Sequence, residues 1–255
     1  MEYNNYNREI VIRNFRLTSS NLIDIAKATN LYIQNLVNIF NEIDFDIFYS
    51  LGQRNISGFI GEIYKNILAN SFPELCSNPH PDGRPDILAL DTQDAVNHYV
   101  ECFAEINGRE IPIKDMLTPF KYGGLEVKCS IGSSGKPQTQ QFIAENGHTF
   151  SLYESRVGYL NGVTWWAHHS SSNNLLGLYY DYYAPLHGIP QILAAFYSEL
   201  SNDDWNAVSR GNPNNKKTSN TSLNKQGLTK MKNNCMFSVS DTNYLTQFRN
   251  IGINV

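Results

Sequence analysis

Two short segments carry residue types that can work together. Asp86, preceded by Pro85, opens an apolar run, Asp86-Ile-Leu-Ala-Leu90. Forty residues on, Glu126-Val127-Lys128 lies in a second run, Leu125 to Ile131. Carboxylate and carbonyl oxygens suit a hard ion such as Mg²⁺, which takes one or two carboxylates together with water and a substrate phosphate. Asp86 and Glu126 supply the carboxylates, and the main-chain carbonyl of Val127 a third oxygen. A metal held this way lowers the pKa of bound water, orients it and stabilises charge on a phosphate and its leaving oxygen. Lys128 then orients the attacking water or neutralises the charge that develops on the phosphate. The chemistry such a set could do is hydrolysis of a phosphodiester; the alternative is that Pro85-Asp86 only opens a strand and that Glu126 and Lys128 form a solvated charge pair on one strand face.

The elements must deliver those side chains to one place. A strand puts residues i and i+2 on one face and i+1 on the other. Leu125, Val127 and Cys129 make an apolar face, and Glu126, Lys128 and Ser130 a polar one. Gly123-Gly124 before this strand marks a turn or bulge. The stretch Asn78-Pro-His-Pro-Asp-Gly-Arg-Pro85 is dense in turn formers and delivers Asp86 to a strand mouth. Asp82, in the second Pro-Asp pair, is the fallback first ligand. Upstream, Ile56, Phe59, Ile60, Ile63, Ile67 and Leu68 recur at helical spacing, so Asn55 to Phe72 reads as a helix with Pro73 past its end. Glu62 lies on that helix, off its apolar stripe. It is either an auxiliary acid of the site or an i,i+3 partner of Lys65.

Pro-Asp followed by Glu-x-Lys, behind a helix bearing an acid, resembles the PD-(D/E)XK nuclease superfamily, which includes most type II restriction endonucleases. The resemblance spans about residues 55–131. It implies an α/β restriction-endonuclease-like core, a mixed central sheet flanked by helices. It implies Asp86 and Glu126 as metal ligands, Lys128 as the catalytic lysine, Glu62 as the helix acid and one or two Mg²⁺ ions per site. The reaction implied is hydrolysis of double-stranded DNA that leaves a 5′-phosphate and a 3′-hydroxyl. A homodimer on a palindromic site and a cognate DNA methyltransferase as companion complete the expectation. The gap between Asp86 and Glu126 exceeds that of compact members and requires inserted strands.

Composition bounds these readings. With 255 residues, 41% hydrophobic and 17% charged, the chain is globular and suits one large domain or one domain with an appended lobe. No run approaches a membrane span, and the N-terminus lacks the pattern of a signal peptide. The four cysteines are dispersed without a CxxC pair, which fits reduced thiols in a cytoplasmic protein. The net charge of −4 hides an asymmetry: residues 206–255 hold seven Lys/Arg and one Asp. Arg210, Lys216, Lys217, Lys225, Lys230 and Lys232 lie in a tract without a single acid. Lysines neutralise phosphates, and the intervening amides and hydroxyls reach phosphates or base edges. The tract is a DNA-contacting surface or a solvated basic loop. The chain accordingly divides into an N-terminal helical part (1–54), a catalytic core (55–205) and a basic C-terminal part (206–255).

Other elements follow from periodicity. Leu22 to Leu51 reads as one long helix or two, with Thr18 to Asn21 as an N-cap cluster. Val96 to Ile106 reads as a strand. On it Glu101 and Glu105 either line the metal cleft or face solvent. Ile111-Pro-Ile113 reads as a short edge strand, and Thr139 to Leu160 as mixed, helical around Glu154 to Leu160. Val163 to His169 and Leu175 to Tyr183 read as strands, and Ile192 to Leu200 as a strand or short helix. His168 and His169 point to opposite faces of a strand and do not share an ion. Three functions compete: a type II restriction endonuclease, a repair, recombination or structure-specific nuclease of the same superfamily, and a non-catalytic DNA-binding protein.

Overall fold

The computed structural model describes residues 1–51, 53–131, 173–186, 189–207 and 221–255. The expected elements Thr139 to Leu160 and Val163 to His169 fall outside these residues, as do Arg210, Lys216 and Lys217. The chain folds as an α/β protein around a mixed seven-stranded sheet. Its strands are β1 (Tyr3–Asn5), β4 (Leu75–Ser77), β5 (Ile87–Ala89), β8 (Gly124–Ile131), β9 (Asn174–Tyr183), β10 (Ile189–Glu199) and β11 (Cys235–Val239). Across the sheet they run β1-β11-β10-β9-β8-β5-β4. Only β8 and β9 pair in parallel; the other neighbours are antiparallel. Hairpins β2 (Glu9–Ile12) with β3 (Phe15–Thr18), and β6 (Phe103–Ile106) with β7 (Arg109–Pro112), stand apart from the sheet.

Helices cover both faces. On one lie α1 (Ser19–Asn41) and α3 (Gln53–Ser71), with the short α2 (Ile47–Ser50) between them in sequence. On the other lie α6 (Lys225–Asn233) and α7 (Thr242–Asn250). Strand alternation sorts the side chains. Leu176, Leu178, Tyr180 and Tyr182 of β9 enter the first core with Ile56, Ile60 and Leu68 of α3. Leu175 and Tyr179 enter the second with Met231, Tyr244 and Phe248. Burial on both faces explains why β9 and β10 read as near-continuous apolar runs. The interval Ile192 to Leu200, open between strand and helix on sequence, resolves as β10 because both its faces have a core to fill.

The helix starts follow their caps. Thr18 accepts from the Asn21 N–H at 3.2 Å, and Asn21 Oδ1 accepts the Thr18 N–H at 2.9 Å, closing a reciprocal cap on α1. Buried Asn30 ties α1 to the sheet: it accepts the Ile192 N–H at 2.8 Å, where the β9–β10 register shifts. The first 54 residues therefore hold helices, as expected, together with three strands that helical periodicity does not announce. Among the described residues no helix is long and apolar enough to cross a membrane.

The long interval between Asp86 and Glu126 forms a small lobe. It contains α4 (Gln93–Glu101), the β6–β7 hairpin and α5 (Lys114–Leu117), packed around Leu88, Cys102, Leu117 and Phe120. The expected strand from Val96 to Ile106 is corrected here. Its first half is helix α4, and only Phe103–Ile106 is strand. Thr92 caps α4 by accepting from the Ala95 N–H at 3.2 Å, and Asp94 sits in the first turn. Val96 and Val100, spaced four apart, lie on the exposed side of that helix, so an alternation read across a helix end mimicked a strand. The lobe still supplies inserted strands, β6 and β7, as the gap required.

Candidate active site

The site is built where β5 stops pairing with β8. Ile87 pairs with Leu125 and Leu88 with Gly124, so by the same register Asp86 falls opposite Glu126. Opposed residues present their side chains on the same face. Gly124 permits the join: a Cβ there would stand 1.9 Å from the Ile87 carbonyl oxygen. The turn before Asp86 is held from inside by Asn78. Its N–H donates to the Asp86 carbonyl at 2.9 Å. Its Nδ2 donates to the carbonyls of Pro85 and Leu117 at 3.0 and 3.1 Å. Gly83 leaves room for that amide, since a Cβ would meet Asn78 Oδ1 at 2.1 Å. The inserted lobe braces the same turn, as the Arg84 N–H donates to Leu117 and the Arg84 carbonyl accepts from Phe120, each at 2.9 Å.

Past that turn four charged side chains meet. Asp86 Oδ2 accepts the Val127 N–H at 2.9 Å and Asp86 Oδ1 accepts from Arg84 Nη1 at 3.0 Å. Lys128 Nζ lies 2.6 Å from Glu126 Oε1 and 3.5 Å from Asp86 Oδ2. Arg84 Nε faces Glu126 Oε1 at 3.7 Å, beyond hydrogen-bond length. Glu126 is fully buried and Asp86 only 13% exposed. Burial raises the Glu126 carboxyl above its ordinary 4.5, and the Asp86 charge adds to the rise; Lys128 and Arg84 act in the opposite sense without cancelling it.

The donor set fits a hard divalent ion. The N–H and C=O of one strand residue point to the same edge. Because the Val127 N–H meets Asp86, its carbonyl lies on that edge too, beyond the last β5–β8 pair. Two carboxylates and one main-chain oxygen therefore converge, with water and substrate left to complete the shell. Among the described residues no three His, Cys, Asp or Glu side chains form a metal-holding group.

Asp86, Lys128 and Val127 open onto a cleft of about 590 Å³, whose other wall is α3 and the 78–84 turn. Gly61 of α3 brings the helix close, since its Cβ would meet the Cys129 Cβ at 3.3 Å. Glu62 lines the same cleft but is 62% exposed and forms an i,i+3 ion pair with Lys65. The helix carrying it packs against Val127 and Cys129 of β8. Lys65 and His80 also line the cleft.

Other sequence candidates are placed elsewhere. Asp82 is 70% exposed and paired with Lys114 at 3.0 Å, whose hydrogen bond and charge lower its carboxyl pKa. Asp86, and not Asp82, lies beside Glu126 and Lys128. Glu101 lies at the exposed end of α4 beside His98, and Glu105 is exposed on β6, so neither lines the cleft. Of the basic tract, Lys225 is exposed at the start of α6. Lys230 pairs with buried Asp204 at 2.7 Å, and Lys232 donates to the Ile251 carbonyl at 2.9 Å. Arg84 is the site residue that the sequence motifs miss. In the sequence it stands two residues before Asp86, in a bend, and carries no motif of its own. No protein-family model, curated protein or solved structure matches the chain.

Proposed function

We propose that the protein is a Mg²⁺-dependent DNA endonuclease of the type II restriction class, with a restriction-endonuclease-like core. The observation that carries this reading is the convergence of Asp86, Glu126 and Lys128 at one strand mouth. Two carboxylates that repel each other in a buried site, with Lys128 between them, serve little purpose in stability, since ion pairs of this kind rarely repay their desolvation. They suit a site that awaits a cation and an anionic substrate.

Asp86, Glu126 and the Val127 carbonyl would hold the ion, which supplies an acidified water and neutralises phosphate charge when bound. Asp86 is fixed for this by the Val127 N–H. Glu126 is fixed by its place in β8. Lys128 reaches both carboxylates and the cleft, so its ammonium can meet a phosphate oxygen or the attacking water without moving far. The cleft wall adds Lys65 and Arg84 as further cations facing a polyanion. Double-stranded DNA is the substrate, a second copy of the chain supplies the matching half-site contact, and a methyltransferase of the same specificity is the expected companion.

The test is incubation of phage DNA with purified protein and Mg²⁺. Discrete, reproducible fragments with 5′-phosphate ends are expected, and Asp86→Ala or Lys128→Ala should lower the cleavage rate at least about 100-fold. Cutting at junctions or ends without a sequence rule would assign a repair or structure-specific nuclease. Binding without cutting, equal in wild type and both variants, would remove the enzyme reading altogether.

A further inference from the structure

Arg84 bears directly on how the acids can take a metal. Both oxygens of Asp86 are already engaged: Oδ2 by the Val127 N–H at 2.9 Å, and Oδ1 by Arg84 Nη1 at 3.0 Å. The main-chain donor is locked in β8, so Oδ1, held by a side chain that lines the cleft, is the oxygen more readily released to an approaching ion. Arg84 and Lys128 together balance the two carboxylates, which matters because Glu126 is fully buried and an uncompensated charge there is costly. A divalent ion would supply that compensation instead.

The hold of Arg84 is also incomplete. Of the five guanidinium donors, Nη1 serves Asp86 and the Gly83 carbonyl. Nε is buried, lies 3.7 Å from Glu126 and has no hydrogen-bond acceptor among the described residues. The side chain lines the cleft, so it has somewhere to go.

We infer that Arg84 is a displaceable counter-ion. Its Nη1 holds the Asp86 oxygen that a divalent ion would take. Once a divalent ion displaces it, its guanidinium turns into the cleft and takes a non-bridging oxygen of the substrate phosphodiester. This role rests on the nuclease reading above. It makes metal and substrate binding mutually supportive: the ion frees the arginine, and the phosphate gives it a new partner.

The test uses the full chain and Mg²⁺ alone, with Mn²⁺ as a second probe, by calorimetric titration without DNA. Arg84→Met keeps the apolar stem, and the Arg84 hydrogen bonds to Leu117 and Phe120 are main-chain and survive. Arg84→Gln is the second neutral variant should the first fail to fold, as judged by a thermal melt. Removing one neighbouring cation should tighten metal binding at least about tenfold, the scale on which a nearby charge shifts ionisation of a carboxylate. Single-turnover cleavage at saturating Mg²⁺ should nonetheless fall at least about 100-fold. Metal binding equal to or weaker than wild type overturns the counter-ion role and leaves the nuclease reading standing. Tighter metal binding with unchanged cleavage overturns the phosphate role. Absence of metal binding in wild type and variants alike overturns the inference and the nuclease reading together.

Discussion

At the scale of the residue, Glu126 is the member of the site whose chemistry the surroundings alter most. It is fully buried beside another carboxylate, so its folded pKa lies above the ordinary 4.5. A carboxyl whose pKa the fold raises binds more protons folded than unfolded between the two pKa values. Stability then falls as pH rises from the unfolded value through the folded one, the reverse of an acid stabilised by ion pairing. Glu126→Gln fixes the neutral form and should flatten that fall. Urea midpoints of the metal-free protein, followed from about pH 4.5 to about pH 7, check it; parallel slopes in wild type and variant would refute the assignment. Asp86 and Lys128 are legible from their residue types and spacing, and Asp82 ranks below Asp86 on sequence because no apolar run follows it. Arg84 is not legible. An arginine in a turn carries no periodic signal, and only the register of β5 against β8 shows that it reaches both acids.

At the scale of the element, the join between β5 and β8 decides whether the site exists. Gly124 lies at φ +154° with the Ile87 carbonyl where a side chain would begin. Gly124→Ala must therefore push the strands apart, at a cost of roughly 2–4 kcal/mol. Chemical denaturation should show that loss. Cleavage should fall further than stability alone accounts for, because Asp86 would lose the Val127 N–H. A variant with wild-type stability and activity would show that the strands separate without consequence. Helices α1 and α3 and strands β5, β8 and β9 are readable because apolar spacing in each matches one element over its whole length. The segment Val96 to Ile106 is not, since apolar residues at the end of an exposed helix continue in phase with a strand. The cap at Thr92 with Asp94 behind it is the signal that separates the two.

At the scale of the whole molecule, charge is divided between the ends of the chain, and the fold uses part of it. Strand β11 enters the central sheet between β1 and β10, so the C-terminal residues complete the core as well as carrying lysines. Lys230 neutralises buried Asp204 and Lys232 closes onto Ile251. Burial tends to raise the Asp204 pKa, but hydrogen bonds from Lys230 and Ser201 overcome it and leave the pKa lowered. On the proposed function, Lys216 and Lys217, which lie outside the described residues, are candidates to meet phosphates. Replacing both with alanine should weaken DNA binding and reduce the slope of log affinity against log salt by about one unit for each phosphate no longer neutralised. Fluorescence anisotropy across a salt series reads this directly, and an unchanged slope would make the tract a bystander.

By itself the sequence determined the α/β character, most of the long elements and the residue types of the candidate site. Those depend on periodicity and on side-chain chemistry, which are local properties. Tertiary structure decided that Asp86 lies opposite Glu126 while Asp82 pairs with Lys114, that Glu62 lines the cleft in an ion pair with Lys65, and that Arg84 lies beside both acids. Each depends on how two distant strands are registered and how a small inserted lobe braces one turn. Such long-range pairings leave no trace in the spacing of any single segment.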